Sequence, residues 1–237
     1  MQFVDLTLPT PEENLALDEA LLLAAEADGK LEFLRVWESP SYFVVLGKNC
    51  QVTEDVRIVN CEADNVPVLR RVSGGGTVLL GPGCLNFSLV HCFKSAGYSS
   101  SIADSYDFVL NTVRAALVPL AAQVSICGTD LMLENRKIGG SSQRRQRTHF
   151  LHHGTILYDF EIPLISRYLK EPKRQPAHRD GREHAAFLTN LNMEPNQVRE
   201  QLRTTWNAGE TWYKNVLILI SDLVQNRYSQ LSWNHGR

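Results

Sequence analysis

No apolar run in this chain is long enough to cross a bilayer, so a membrane-spanning helix is not expected. Near the N-terminus an acidic residue, Asp5, stands where a basic leader would be, and no signal-peptide pattern follows. Cysteine is present but unpatterned. Cys50, Cys61, Cys84, Cys92 and Cys127 form no C-x-x-C pair and no zinc spacing. An odd number, several of them in apolar runs such as Gly83-Cys84-Leu85-Asn86-Phe87, reads as reduced, mostly buried thiols of a cytoplasmic protein. Net positive charge is also lacking: 24 Lys and Arg face 26 Asp and Glu. No global field therefore recruits nucleic acid. Internal repeats and low-complexity segments are absent as well.

What is present is a composition suited to a buried core. The 237 residues are 43% hydrophobic and 21% charged, the proportions of an ordinary globular chain of one domain, 1–237. Charge is unevenly spread. Between Arg136 and Arg182 lie eleven Lys and Arg against four Asp and Glu. Such a segment suits an anionic ligand or an acidic partner, or is simply a solvated basic face.

Thr10-Pro11-Glu12-Glu13 is a capping box with proline at the first helical position, so a helix is expected from there to about Asp28-Gly29. Asn14, Asp18 and Glu19 interrupt its apolar residues, and their default places are the solvent face or an intrahelical hydrogen bond. Strand-like runs follow at 31–37, 42–46, 67–72, 77–80 and 85–91. The short spacings favour antiparallel pairing. Residues 102–120 carry an apolar stripe at helical spacing, and strands resume at 123–126, 131–133, 136–139 and 150–157. Beyond Asp159, a short helix is expected at 163–169, an extended loop at 171–182 and helices at 195–206 and 215–228. The fold class is α+β, a mixed and mainly antiparallel central sheet flanked by helices.

Two glycine-rich stretches carry the chemistry. In Arg70-Arg71-Val72-Ser73-Gly74-Gly75-Gly76-Thr77, glycines allow a tight turn whose free N–H groups can hold an anion. The arginines add planar donors for phosphate or carboxylate. Further on, Gly128-Thr129-Asp130-Leu131 precedes Arg136-Lys137-Ile138-Gly139-Gly140-Ser141-Ser142-Gln143, which reads as a lysine just ahead of a second flexible Gly/Ser turn. His152-His153-Gly154-Thr155 comes next. Each piece also has a plain structural reading: a glycine hairpin, a solvated turn lysine, a turn aspartate, histidines packed at a strand end.

Taken in order, these motifs resemble the lipoate-protein ligase A and octanoyltransferase group of the biotin/lipoate ligase catalytic-domain superfamily. The resemblance runs from Asn14 to about Asn190 and includes Asn14-Leu15-Ala16-Leu17-Asp18-Glu19, Leu34-Arg35-Val36-Trp37, Val45-Leu46-Gly47 and Asn86-Phe87-Ser88 as well as the stretches above. It implies a sheet related to biotin ligases and class II aminoacyl-tRNA synthetase cores. In the ligases, ATP with Mg²⁺ activates lipoate or octanoate as an acyl-adenylate. The acyl group then passes to a lysine on the lipoyl domain of a 2-oxoacid dehydrogenase or glycine-cleavage protein. By this likeness Lys137 would be catalytic, polarising the acyl carbonyl. Arg70, Arg71, Ser73, Gly74, Gly75, Gly76, Thr77, Asn86, Ser88, Asp130, Gly139, Gly140, Ser141, His153, Gly154 and Thr155 would bind substrate or nucleotide. Asp130 would also lie near magnesium. The apolar runs 44–46 and 78–80 would wall an acyl tunnel.

Departures leave alternatives open. Leu80-Gly81 stands where family members often have His-Asp, and Gln51 lies one residue late for the common Gly-x-x-Gln pattern. Residues 191–237 read as a C-terminal helical extension rather than a separate accessory domain, which implies a single-domain ligase, a ligase with an accessory chain, or a transferase. In the transferase alternative an acyl carrier protein supplies octanoate and Cys127, ten residues before Lys137, is the nucleophile. A non-catalytic lipoate-binding protein is the third reading.

Overall fold

The first helix, α1 (Pro11–Asp28), begins where the capping chemistry places it: Glu13 N–H donates to Thr10 Oγ1 at 3.2 Å while Thr10 N–H donates to Glu13 Oε2 at 3.0 Å. It stops at Gly29, whose φ of 82° is left-handed. The computed structural model describes residues 1–95, 101–210 and 216–236. Among these the strands are β1 (Gln2–Val4), β2 (Phe33–Trp37), β3 (Phe43–Leu46), β4 (Val68–Arg70), β5 (Val78–Leu80), β6 (Cys84–Cys92), β7 (Val124–Cys127), β8 (Asp130–Leu133), β9 (Arg136–Arg145), β10 (His149–Leu157) and β11 (Gly209–Glu210). The other helices are α2 (Val52–Asp55), α3 (Ile58–Ala63), α4 (Ile102–Leu117), α5 (Pro163–Tyr168), α6 (His184–Phe187), α7 (Pro195–Thr205), α8 (Val216–Leu223) and α9 (Leu231–Asn234).

Eight strands form the main sheet in the order β11-β1-β2-β6-β10-β9-β8-β7, and β4-β3-β5 form a smaller one. β11, β1 and β2 run parallel, as do β3 and β4; the remaining pairs are antiparallel. The fold is thus α+β with a mixed, mainly antiparallel sheet. Two apolar cores cover its faces. One lies between the main sheet, α1 and the small sheet, with Phe33, Trp37, Val44 and Leu151 within it. The other packs α4 and α7 on the opposite face through Phe87, Val109, Val113 and Val198.

Several local expectations are corrected. β1, β11, α2 and α3 were not legible, being too short to show a period. Strand β11 lies inside the C-terminal stretch expected to be helical. The long helix ends at Leu117 rather than 120. The 171–182 loop contains a 3₁₀ turn, Ala177–Arg179. The last long helix becomes a π-helical turn at Val224–Tyr228; Asn215, its expected start, lies outside the described residues. Most consequentially, the second Gly/Ser turn is no turn. Gly139, Gly140, Ser141 and Ser142 lie within β9, paired to β8 and then to β10. Pairing of the glycines to β8, continued by pairing of Ser141 and Ser142 to β10, holds the stretch extended.

Candidate active site between the two sheets

Register gathers the scattered candidates. Arg35 on β2 stands opposite Ser88 on β6, Ser88 opposite His153 on β10, and His153 opposite Ser142 on β9. The next row aligns Trp37, Asn86 and Thr155. Opposite residues share a sheet face, so both rows look toward α1 and the small sheet. Gly154, one residue off this period, faces the other way. A Cβ there would lie 2.6 Å from the Phe87 ring, so its glycine serves packing. At Gly139 a Cβ would lie 1.9 Å from the Thr155 carbonyl oxygen, again a matter of close main-chain approach.

A β-bulge aims Lys137. Leu131 pairs with Gly139 and Met132 with Lys137, which leaves Ile138 as the extra residue. Ile138 is fully buried in the second core. The bulge puts Lys137 on the same face as Gly140: a Cβ on Gly140 would lie 2.7 Å from Lys137 Nζ and 3.2 Å from Asp130 Oδ1. Lys137 Nζ pairs with Asp130 Oδ1 at 2.8 Å, its side chain 26% exposed. The second Asp130 oxygen accepts from His178 Nε2 at 2.9 Å, carried on the 3₁₀ turn of the 171–182 loop. Asp130 is therefore a bracket between a lysine and a histidine.

The glycine loop is built from its carbonyls inward. Arg71, buried, donates from Nε to Ser73 Oγ at 2.9 Å and from Nη2 to the carbonyls of Gly74 at 2.5 Å and Gly76 at 2.8 Å. Lys48 N–H takes the Ser73 carbonyl at 2.8 Å, and Cys50 Sγ the Gly75 carbonyl at 3.4 Å. Ser142 on β9 also donates to the Gly74 carbonyl, at 2.8 Å, so the loop is tied to the strand that bears Lys137. With four successive carbonyls occupied, the N–H groups of Gly74, Gly75 and Gly76 donate to no described residue. Gly75 has φ 82°. A run of unpaired N–H groups in this conformation is an anion-binding concavity. Burial pulls the Arg71 guanidinium down to about 10, which leaves it charged at neutral pH.

Arg70 is directed elsewhere. Its guanidinium is spent on the carbonyls of Gly47, Lys48, Cys50, Trp233 and Asn234, so it organises backbone. Thr77 donates to Asp55 at 2.7 Å and Ser141 to the Thr129 carbonyl at 3.2 Å. Thr155 Oγ1 accepts from Gly140 N–H at 3.4 Å, and Asn86 is buried beside Trp37. Cys127 closes the β7–β8 hairpin opposite Asp130 and packs on the first core. The runs 44–46 and 78–80 pair with each other as β3 and β5.

Beneath the loop lies a buried polar network that includes Asn14, Asp18 and Glu19. Their expected places were the solvent face or an intrahelical hydrogen bond; Asn14 does make the latter, to the Thr10 carbonyl at 2.8 Å. Arg35 Nη1 donates to Asp18 Oδ1 at 2.6 Å and to the Asn14 carbonyl at 2.8 Å. Ser88 donates to Asp18 Oδ2 at 2.7 Å. Burial alone would raise the Asp18 carboxyl, but Arg35, His153 and Ser88 outweigh it and hold the group below its ordinary value. His153 Nδ1 lies 3.5 Å from Asp18 Oδ2, and its Nε2 is 2.6 Å from Ser73 Oγ. Glu19 meets Arg227 and accepts from Tyr228 at 2.8 Å. An acid within an apolar helix and an arginine within an apolar strand were the available signal, because buried charges need partners. Ser142 and His178 gave no such signal.

The model of the family described as Lipoyl protein ligase A/B catalytic domain matches residues 10–205. The chain is 26% identical to lipoate-protein ligase 1 of Staphylococcus aureus over 96% of its own length and 70% of the relative's. It is 26% identical to the lipoate-protein ligase LplJ of Bacillus subtilis, over 100% of this chain and 74% of that one. Among solved structures, a lipoate-protein ligase A bound with ATP superposes with a TM-score of 0.84 at 23% identity, covering 99% of this chain and 98% of that one. A bi-partite lipoate protein ligase of Thermoplasma acidophilum superposes with a TM-score of 0.83 at 20% identity, covering 99% and 96%. At these identities the structural likeness speaks for the fold, and the matched span takes in α1, the glycine loop, Lys137 and His153 together. The chain therefore belongs to the lipoyl protein ligase A/B catalytic domain family.

Proposed function

We propose that this chain is an ATP-dependent lipoate-protein ligase, which activates lipoate or octanoate as an acyl-adenylate and transfers the acyl group to a lysine of a lipoyl domain. The observation that carries the reading is the combination of N–H groups at Gly74, Gly75 and Gly76 that donate to no described residue with Lys137 held on the strand tied to that loop. A carboxylate and an α-phosphate repel each other. Fixed donors and an ammonium lower the cost of bringing them together. In this reading the N–H groups take oxygen of the acyl or phosphate group, and Lys137 polarises the carbonyl. Asp130 keeps the lysine aimed.

The relatives' own ligands fit the same reading: one structure is of a ligase bound with ATP, and another holds lipoic acid. A third pairs a bi-partite ligase with its E2 lipoyl domain, which points to the acceptor class and to an accessory chain as a partner. Among the described residues no three His, Cys, Asp or Glu cluster to hold a metal. Magnesium fits as a companion of the triphosphate, with Asp130 beside Lys137 as a carboxylate that would hold it, since Mg²⁺ typically uses one or two carboxylates plus phosphate oxygens.

The test is purified protein with lipoate or octanoate and ATP, followed by intact mass of a lipoyl domain. Pyrophosphate release and an ATP-dependent mass gain are expected. Absence of an adenylate with both acids removes the ligase reading. Transfer from octanoyl carrier protein without ATP, lost in Cys127→Ser, would assign the octanoyltransferase instead.

A further inference from the structure

We propose that Ser73, His153 and Asp18 form a proton relay that accepts the proton shed by the acceptor lysine during acyl transfer; the proposal rests on the ligase reading above. The chemistry requires such a group. The acceptor ammonium loses one proton to water to become an amine. Its nitrogen then bonds the acyl carbon, the C–O bond to AMP breaks with its electron pair on the phosphate oxygen, and a second proton must leave the nitrogen.

The groups around the glycine loop narrow the choice. Lys137 is ion-paired to Asp130 and serves as a donor. Asp130 has both oxygens engaged, by Lys137 and His178. The Cys50 thiol is bound to the Gly75 carbonyl, and burial pushes it up, away from acting as a thiolate base. His152, next in sequence to His153, is a very weak base because burial pulls it down to about 3. His153 is the side chain whose ring nitrogen meets the Ser73 hydroxyl at the start of the loop.

Its hydrogen bonds orient it for the task. Arg71 Nε–H donates to Ser73 Oγ at 2.9 Å, so the Ser73 hydroxyl hydrogen is left to point at His153 Nε2, 2.6 Å away. Nε2 then carries the lone pair and Nδ1 the hydrogen, which faces Asp18 Oδ2 at 3.5 Å, an ion-pair distance. A proton delivered to Ser73 Oγ displaces the hydroxyl hydrogen onto Nε2, and the imidazolium is stabilised by Asp18. The charged and titratable groups about His153 include Asp18 from α1 and His152 on β10, with Arg35 from β2 reached through Asp18, Arg71 from the loop reached through Ser73, and Tyr106 from α4 beside Arg71. Arg35 is neutralised by Asp18, and the other Asp18 oxygen is fixed by Ser88. Ser73 is followed directly by the unpaired N–H groups of Gly74 and Gly75, where the acyl oxygen would sit. The acceptor nitrogen would therefore arrive within reach of the Ser73 hydroxyl. The buried Ser73 hydroxyl would meet the reacting nitrogen when the acceptor lysine docks, and His153 acts through it.

The relay is tested by supplying lipoyl-adenylate directly to the protein and to His153→Gln. Gln keeps a hydrogen-bond partner for Ser73 but no basic nitrogen. Each is offered a lipoyl-domain lysine or hydroxylamine, whose nitrogen is far less basic than a lysine amine, so that its adduct sheds the second proton to water without a base. The readout is the ratio of lysine transfer to hydroxylamine capture, which a loss of adenylate binding or of fold would not shift. The expected fall in this ratio is about a hundredfold, the lower end for general-base catalysis. Ser73→Ala should lower it similarly and decides the matter if the histidine variant does not fold. An unchanged ratio overturns the relay while leaving the ligase intact. Failure of the wild-type protein to use the adenylate removes both.

Discussion

Two adjacent glycines on β9 have unlike jobs, and substitution separates them. At Gly139 a Cβ would meet the main-chain oxygen of Thr155, 1.9 Å away, which cannot step aside. Gly139→Ala should cost about 1–3 kcal/mol of stability, read by denaturant unfolding, as overpacking does. At Gly140 the first obstacle is Lys137 Nζ at 2.7 Å, the far end of a flexible side chain. Gly140→Ala should melt near wild type yet displace the ammonium from Asp130. Adenylate formation should fall by about a hundredfold, the loss typical of one misplaced donor. Equal melting losses in the two variants would contradict this division. Lys137→Ala should abolish adenylate formation while changing stability by less than about 1 kcal/mol, since partly exposed ion pairs contribute little. Unchanged turnover in that variant would show that the lysine only decorates the strand.

At the scale of elements, the C-terminal turn reaches back to the strand that launches the glycine loop. Asn234 Oδ1 accepts from Arg70 N–H at 3.0 Å, and Trp233 Nε1 donates to the Arg70 carbonyl at 2.9 Å. The carbonyls of Trp233 and Asn234 take two donors of the buried Arg70 guanidinium. Ending the chain before α9 would strip those acceptors from a buried charge. The expected loss is about 3–5 kcal/mol, checked by urea unfolding. The helix α9 was not visible in sequence, because four residues carry no period. The capping box of α1 was visible to the residue, because capping is local chemistry. The β9 bulge was invisible for the opposite reason: an extra residue is defined only against the partner strand.

At the scale of the whole molecule, charge governs pH and salt behaviour. Burial raises Glu32, but its contact with His91 and the Cys92 N–H outweigh burial and bring it from 4.5 to about 2. A carboxyl depressed on folding stabilises the protein fully above its unfolded value and loses that contribution as pH falls through the folded one. Melting temperature should therefore decline as pH drops from 4.5 towards 2, with Asp18 acting in the same direction, and Glu32→Gln should flatten the slope. The basic stretch between Arg136 and Arg182 should steer an acidic lipoyl domain. Transfer should then slow as salt shortens the screening length to about 8 Å at physiological strength and less beyond. A salt-independent rate would mean that docking is not steered by charge.

The amino-acid sequence by itself determined the α+β class, the ends of the first helix and the two polar glycine stretches, because caps, turns and apolar periods act between near neighbours. It also placed Lys137 and Arg71 among the candidates. Only the tertiary structure decided that Arg70 faces backbone rather than ligand, that the second glycine stretch is strand, and that Asp18, Arg35 and His153 lie buried beneath the loop. Those outcomes depend on strand register, where a shift of one residue turns every side chain to the other face of the sheet.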